Sequence, residues 1–193
     1  MRMKRLLDVA FVLVTLLVGL PVAGLVALAV LVFLGTPVFF LDERAGLHGV
    51  PFRLVKFRSM RTGPGDDAER LTRFGRFLRA TSLDELPELW NVLRGEMSLV
   101  GPRPLPVRYL PRYTAEQARR HEVRPGITGL AQVSGRNALD WEEKFRCDVR
   151  YVDGRSLGLD FRILAKTVWQ VIVPRGVNHE GDATMHEFKG AEA

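Results

Sequence analysis

Residues 9–41, VAFVLVTLLVGLPVAGLVALAVLVFLGTPVFFL, contain no charged side chain and set the architecture of this chain. A helix of about 20 apolar residues is long enough to cross a bilayer, so the segment predicts a membrane helix. It is too long for the apolar region of a cleaved signal peptide, and it lacks an obvious cleavage site. We therefore expect a membrane helix within residues 1–41 and one compact domain over residues 42–193.

Basic residues flank this apolar segment on both sides. They are Arg2, Lys4 and Arg5 before it, and Arg44, Arg53, Lys56, Arg58 and Arg61 after it. Because basic flanks prefer the cytoplasmic side, a single span would carry one flank across, whereas a re-entrant helix keeps both inside. Pro21 lies near the middle and removes a helical hydrogen bond. From these residues alone, a helix that re-enters at Pro21 and a kinked spanning helix both stay open.

The remainder of the chain has the pattern of an α+β, mostly helical domain. Residues 37–60 predict a short β-hairpin whose loop contains Gly46 and Gly49. Helical spacing of apolar residues predicts helices over 69–80, 82–94, 138–154 and 159–173, and Gly95 is the predicted stop of the second. A further short helix is predicted with Thr114 as its cap. Residues 124–137, rich in glycine and small polar side chains, predict a loop or short strands.

Charge and cysteine content narrow the classes of function. Lys and Arg number 28 against 22 Asp and Glu, a net charge of +6, which favours anionic partners such as nucleic acid, anionic lipid or phosphate-bearing substrates. The single cysteine, Cys147, excludes a disulfide within the chain and a cysteine-based zinc site, and it receives no role.

Two adjacent carboxylates, Asp84 and Glu85, stand in 81-TSLDELPELWN-91. Ser82 and Glu85 have the spacing of a capping box, and Asp84 would favour the helix dipole. Pro87 complicates this, because it costs a backbone bond if Ser82 is the cap but fits the first turn if Asp84 is. The sequence leaves both registers open.

A chemical interpretation of the same pair is also open. A carboxylate at a helix N-terminus near Arg79 is expected to stay ionised. An ionised aspartate attacks phosphorus, and it also ligates Mg²⁺, which prefers oxygen ligands. Substrate phosphates would repel this carboxylate unless cations neutralise them, and the chain offers Arg79, Arg103 and Arg136.

Several long motifs resemble one family. They are KRLLDV, VKFRSM, LRATSLDELPELWNVLRGEMSLVGPRPLP, RYLPRYTAEQARRHEVRPGITGLAQVSGRNALDWEEKF and GVNHEGDATMHEF. Together they resemble the bacterial sugar transferases, and more narrowly the small monotopic phosphoglycosyl transferases that act on polyprenyl phosphate. The resemblance runs from about Lys4 to Phe188.

The resemblance implies transfer of a sugar-1-phosphate from a UDP-sugar to undecaprenyl phosphate with release of UMP, the step that initiates membrane glycoconjugate assembly. It implies a ping-pong route through a phosphosugar-aspartate intermediate, with Mg²⁺. Asp84 would be nucleophile and metal ligand, and Glu85 its catalytic partner. The phosphate-binding cations would be Lys56, Arg79, Arg103 and Arg136.

The family's anchor is a re-entrant helix broken at a Ser-Pro pair, which implies a monotopic enzyme on the cytoplasmic face of the bacterial inner membrane. Here the pair is Leu20-Pro21, so the serine hydroxyl that could satisfy a freed carbonyl is absent. Glu88 stands where many relatives have glutamine, and no role is assigned to it. The GVNHEGDATMHEF tail resembles members that use N-acetylated sugars, and a zinc site at His186 is rejected for lack of ligand spacing.

The implied partners are a UDP-sugar, undecaprenyl phosphate and membrane lipid, while a homodimer stays open. An alternative is a non-catalytic, membrane-anchored binder of anionic lipid or nucleic acid, supported by the net charge and the arginines of residues 69–80. Aromatic and basic residues are not interleaved as in a nucleic-acid surface, so we expect no nucleic-acid partner. A degenerate, inactive family member is a third hypothesis, which the intact set of acidic and basic residues disfavours.

Overall fold

Helices dominate the structure, a computed structural model that describes residues 2–135, 139–172 and 187–190. The helices are α1 (Arg2–Leu34), α2 (Asp67–Arg70), α3 (Arg73–Ala80), α4 (Glu88–Arg94), α5 (Ala115–Ala118), α6 (Leu130–Ser134), α7 (Trp141–Gly154) and α8 (Leu157–Ile172). The strands are β1 (Phe39–Ala45), β2 (Pro51–Phe57), β3 (Ser98–Val100) and β4 (Gly126–Thr128). Short 3₁₀ turns cover Leu47–Gly49, Leu83–Glu85, Val107–Arg112 and Arg119–Glu122. The α+β, mostly helical class is confirmed.

The predicted hairpin is confirmed. Strands β1 and β2 pair antiparallel, from Phe39 opposite Phe57 to Ala45 opposite Pro51. Strands β3 and β4 pair in parallel and form a second sheet. The sequence did not predict this sheet, although short strands were one alternative for residues 124–137. Gly126 allows this pairing, since a Cβ there would lie 2.1 Å from the backbone nitrogen of Gly101. The glycines of residues 124–137 thus serve close backbone contact as well as loop formation.

Two of the predicted helices need correction. Residues 69–80 do not form one helix: they contain the end of α2 and all of α3. Thr72 begins α3 by accepting a hydrogen bond from the backbone of Gly75. The helix expected over residues 82–94 contains a 3₁₀ turn before α4. The short helix capped by Thr114 is confirmed, with a capping box between Thr114 and Gln117.

Helix α1 contributes directly to two of the apolar clusters that form the core. Val12 belongs to the first cluster, together with buried side chains of β2, α4, β3, α7 and α8. Val26 and Val30 belong to the second, together with Phe57 and Leu78. The N-terminal helix therefore packs on the same domain in both its halves.

One stripe of α1 is buried and the rest of its surface is apolar and exposed. The helix continues through Pro21, and within the described residues it is the one helix long and apolar enough to cross a membrane.

Polar contacts bond both ends of α1 to the domain. At its N-terminal end, Lys4 pairs with Asp160, and Asp8 accepts a hydrogen bond from Ser98. Arg5 donates to the carbonyls of Val92 and Leu93. At its other end, Arg58 donates to the carbonyls of Leu34 and Gly35. Both ends of α1 are thus bonded to one domain.

Candidate active site

The Asp84–Glu85 pair lies in a 3₁₀ turn that precedes α4. Ser82 adopts the left-handed conformation (φ 57°) and makes no side-chain cap, so the capping box that the sequence left open is not formed. Pro87 stands immediately before α4, and Gly95 ends it at φ 82°, as the stop signal predicted. Neither Ser82 nor Asp84 therefore caps a helix with its side chain. The Glu85 side chain bonds cations from distant segments instead of the backbone of Ser82.

Glu85 is the centre of a cluster of cations. Its Oε1 accepts from Lys56 Nζ at 2.8 Å and from Arg103 Nη2 at 2.9 Å. Lys56 comes from β2 and Arg103 from the proline-rich turn after β3. Their positive charges outweigh the effect of burial and lower the pKa of Glu85 to about 2. Glu85 is therefore a fixed, ionised group.

Asp84 has a different environment. It is buried, and within the part of the chain that the structure describes its carboxylate has no hydrogen bond or ion pair. Burial first, and then the charge of Glu85, raise the pKa of Asp84 to about 6, against the opposing effect of nearby cations. Arg79 does lower the pKa of Asp84, as the sequence suggested, but burial and Glu85 outweigh it. At pH 7 the carboxylate is still mostly ionised.

Arg79 approaches this site from α3. Its Nε donates to Ser59 Oγ at 3.0 Å, and its charge acts on Asp84. The position depends on Gly75, because a Cβ at residue 75 would lie 1.8 Å from the carbonyl oxygen of Ser59. A glycine one turn before Arg79 therefore lets α3 pack directly on the chain that follows β2.

Glu88 is a further carboxylate of the site. It is 2% exposed, and its Oε1 lies 2.9 Å from Lys56 Nζ. Burial raises the pKa of Glu88 to about 7. In the sequence, this position stood out only because many members of the resembling family have glutamine there. Glu88, Lys56, Arg103 and Arg44 line one small cavity beside the Asp84–Glu85 turn.

The structure thus brings together Asp84, Glu85, Lys56, Arg79 and Arg103. Arg136 lies outside the described residues, as do the histidines of the GVNHEGDATMHEF tail. Arg44 and Ser59 line or support the site without having been predicted to do so. Cys147 is a partly buried free thiol.

Asp84 is the group that fits a magnesium ion. Within residues 2–135, 139–172 and 187–190, no three His, Cys, Asp or Glu side chains converge as a ready-made metal cluster. Mg²⁺ in phosphate chemistry is often held by one or two carboxylates with substrate phosphates and water as the other ligands. A buried carboxylate with no fixed partner, such as Asp84, suits that arrangement, whereas Glu85 Oε1 already accepts from two cations.

Residues 1–174 match the family described as bacterial sugar transferase. The chain is 54% identical over 164 residues to an uncharacterised sugar transferase, EpsL, of Bacillus subtilis (strain 168), covering 82% of this chain and 81% of that protein. It is 43% identical over 183 residues to a UDP-glucose:undecaprenyl-phosphate glucose-1-phosphate transferase of Caulobacter vibrioides, covering 86% and 68% of the two chains.

A longer relative is the galactosyl transferase CpsE of Streptococcus agalactiae serotype III. It is 37% identical over 196 residues, which cover 90% of this chain but 43% of that protein. The chain therefore spans most of its shorter relatives and less than half of this longer one.

Proposed function

Because the chain belongs to the bacterial sugar transferase family, we propose that it transfers a sugar-1-phosphate from a UDP-sugar to undecaprenyl phosphate and releases UMP. The names of relatives such as the Caulobacter vibrioides enzyme support this reaction. The observation that carries the proposal is the Asp84 carboxylate, which is buried and unpaired among the described residues beside a cluster of cations. That is the arrangement a phosphoryl-transfer nucleophile needs.

The first step is attack by an Asp84 oxygen on the sugar-bearing phosphorus of the donor. The new O–P bond forms as the bond to the bridging oxygen breaks, and the electron pair leaves with UMP. Arg79 and Arg103 bind phosphate oxygens and balance their charge, which would otherwise repel the carboxylate. Lys56 and Arg103 keep Glu85 ionised and fixed next to the nucleophile.

The second step returns Asp84 to its free form. A phosphate oxygen of undecaprenyl phosphate attacks the same phosphorus, and the bond to Asp84 breaks, which completes a ping-pong cycle. Glu85 lies beside the reacting centre and positions the acceptor. The residue that would hold Mg²⁺ is Asp84, and the ion, when bound, supplies further neutralisation of phosphate charge.

The placement of α1 supports a monotopic enzyme. The helix has 33 residues, about 50 Å of length, and yet both of its ends bond the same domain. A helix that crossed the bilayer would carry one end away from that domain. We therefore propose that α1 is re-entrant, kinks at Pro21 while staying helical, and holds the enzyme on the cytoplasmic face of the inner membrane.

The donor is a UDP-sugar whose identity needs a direct test. The tail of the chain favours an N-acetylated sugar, whereas the relatives are named for glucose and galactose. A panel of UDP-N-acetylglucosamine, UDP-N-acetylgalactosamine, UDP-glucose and UDP-galactose covers these alternatives.

The test uses purified protein in nanodiscs with Mg²⁺, undecaprenyl phosphate and this panel, and it measures UMP. Wild type and Asp84→Asn are compared, because asparagine keeps the shape but removes the nucleophilic charge. We expect UMP release with at least one donor and a loss of at least about 10³-fold in the variant. UMP release that survives the substitution would contradict the role of Asp84.

A second measurement addresses the intermediate. With donor but without acceptor, wild type should release about one UMP per active site, and a peptide containing Asp84 should gain the mass of a sugar phosphate. A binder of anionic lipid without catalysis would release no UMP and carry no such adduct. A direct single-step transfer would release UMP only when undecaprenyl phosphate is added.

A further inference from the structure

The ammonium of Lys56 is held between two carboxylates. Its Nζ lies 2.8 Å from Glu85 Oε1 and 2.9 Å from Glu88 Oε1, and these are its ion-pair partners within the described residues. An ammonium carries three N–H groups in a fixed tetrahedral arrangement. Two short contacts therefore stop its rotation and leave one N–H with a defined direction.

Glu88 is itself held firmly. It begins α4 directly after Pro87 and is 2% exposed. Asn91, one turn later and fully buried, joins α4 to β2 because its side chain accepts from Val55 N and donates to the carbonyl of Arg53. This amide clamp lies next to Lys56 along β2, so the separation between Glu88 and Lys56 is fixed by the fold.

Two arginines lie near Lys56. Arg44 and Arg103 line the same small cavity as Lys56 and Glu88. Without Glu88, Glu85 would be the one carboxylate paired with Lys56, and the long lysine side chain would regain rotamer freedom. A buried charge is also costly unless it is paired, which gives Glu88 and Lys56 a mutual requirement.

We propose that Glu88 is a positioning residue for the reaction: it fixes the Lys56 ammonium so that one N–H holds Glu85 and the third points to a phosphate oxygen of the substrate. The phosphate-binding part of this inference rests on the proposed function. The ion pair by which Glu88 positions Lys56 is independent of the proposed function. Glu88 contacts no reacting atom and acts through Lys56.

The kinetic test compares Glu88→Leu with Glu88→Gln, which keeps the side-chain volume and an acceptor oxygen. The control is Glu43→Gln, the same change on an exposed position of β1. We expect Glu88→Leu to lower kcat for UMP release by about tenfold or more, the effect of one lost contact to a charged group. Glu88→Gln should recover most of that loss, and Glu43→Gln should behave as wild type.

A double-mutant cycle separates positioning from a structural role. In a Lys56→Met background, Glu88→Leu should cost little further activity, because its target is already gone. If Glu88→Leu lowers kcat as much in that background as in wild type, Glu88 acts elsewhere and the inference is overturned.

A measurement that needs no activity completes the test. Lys56 is shielded between its two partners, with a side chain 16% exposed, so acylation by acetic anhydride should be slow relative to exposed Lys166. Mass spectrometry should show this ratio rising several-fold in Glu88→Leu and little in Glu43→Gln. An unchanged ratio overturns the inference. Absence of UMP from wild type with every donor would instead contradict the proposed function, and the acylation ratio would still decide the role of Glu88.

Discussion

Asp84 and Glu85 are neighbours in the chain but have opposite electrostatic environments. Two cations contact Glu85 and lower its pKa to about 2, while burial without a contacting cation raises the pKa of Asp84 to about 6. A carboxylate committed to two ion pairs is a poor nucleophile, and an unpaired one is free to react. This difference supports our proposal that Asp84 attacks and Glu85 supports it.

The buried His121 leads us to expect that the free energy of unfolding depends on pH. Its Nδ1 contacts the carbonyl of Gly46, which makes that nitrogen the donor in the neutral ring. Burial, reinforced by the charge of Arg120, lowers the pKa of His121 to about 4 from an ordinary value of 6.5. Because the unfolded chain binds this proton more readily, the stabilisation is present above pH 6.5 and is lost as the pH falls through 4.

We therefore expect wild type to lose on the order of 2 kcal/mol more stability than His121→Gln between pH 7 and pH 4. Urea unfolding at several pH values measures this difference, and comparing the two proteins cancels the titration of the other groups. Parallel stability profiles would show that His121 does not bring about the acid sensitivity.

Helix α3 is the element that places Arg79. Thr72 begins it, Leu78 buries it in the second apolar cluster, and Gly75 allows its close approach to Ser59. The helix has eight residues, so its stability comes from this packing rather than from its own hydrogen bonds. A change in its distance from Ser59 therefore moves Arg79 relative to Asp84.

Gly75→Ala should lower the free energy of unfolding by at least about 2 kcal/mol and also reduce kcat, because the new Cβ would displace α3. Gly158→Ala in α8 is the matched control, since a Cβ there meets no atom within 4 Å. We expect the control to change stability by less than about 0.5 kcal/mol. Thermal unfolding and UMP release measure the two effects. A Gly75→Ala protein as stable as the control would contradict the close approach.

At the scale of the whole molecule, we propose that α1 joins the membrane to the domain that carries the candidate active site. Its buried stripe enters both apolar clusters, and its opposite surface exposes large apolar side chains such as Leu17 and Val18. In the proposed arrangement, the candidate active site would stay near the surface of the bilayer, where the proposed lipid-linked acceptor phosphate is located.

The re-entrant topology proposed for α1 predicts that both of its flanks lie on one side of the membrane. In a Cys147→Ser background, Met3→Cys and Val50→Cys place single thiols at exposed positions before and after the helix. A membrane-impermeant maleimide should fail to label either thiol in intact spheroplasts and should label both after lysis. Glu142→Cys on α7 reports the side of the catalytic domain. Labelling of residue 3 alone in intact spheroplasts would establish a spanning helix instead.

Local signals in the sequence predicted much of the fold. The apolar segment, the hairpin, the cap at Thr114, the stop at Gly95 and the long helices α7 and α8 are all observed. Each depends on residues within a few positions of one another, through periodicity, capping or backbone conformation. The resemblance of the motifs selected the reactive pair and three of its cations, which the fold brings together.

Only the tertiary structure decided how those residues are used. The capping box at Ser82 does not form because the Glu85 carboxylate accepts hydrogen bonds from Lys56, 29 positions away, and from Arg103. Burial and charge set the pKa values of Asp84 and Glu88, and pairing of separate segments creates the parallel sheet. The physical reason is the same in each case. A helix start needs only its neighbours along the chain, whereas desolvation and ion pairing depend on which distant elements the fold brings into contact.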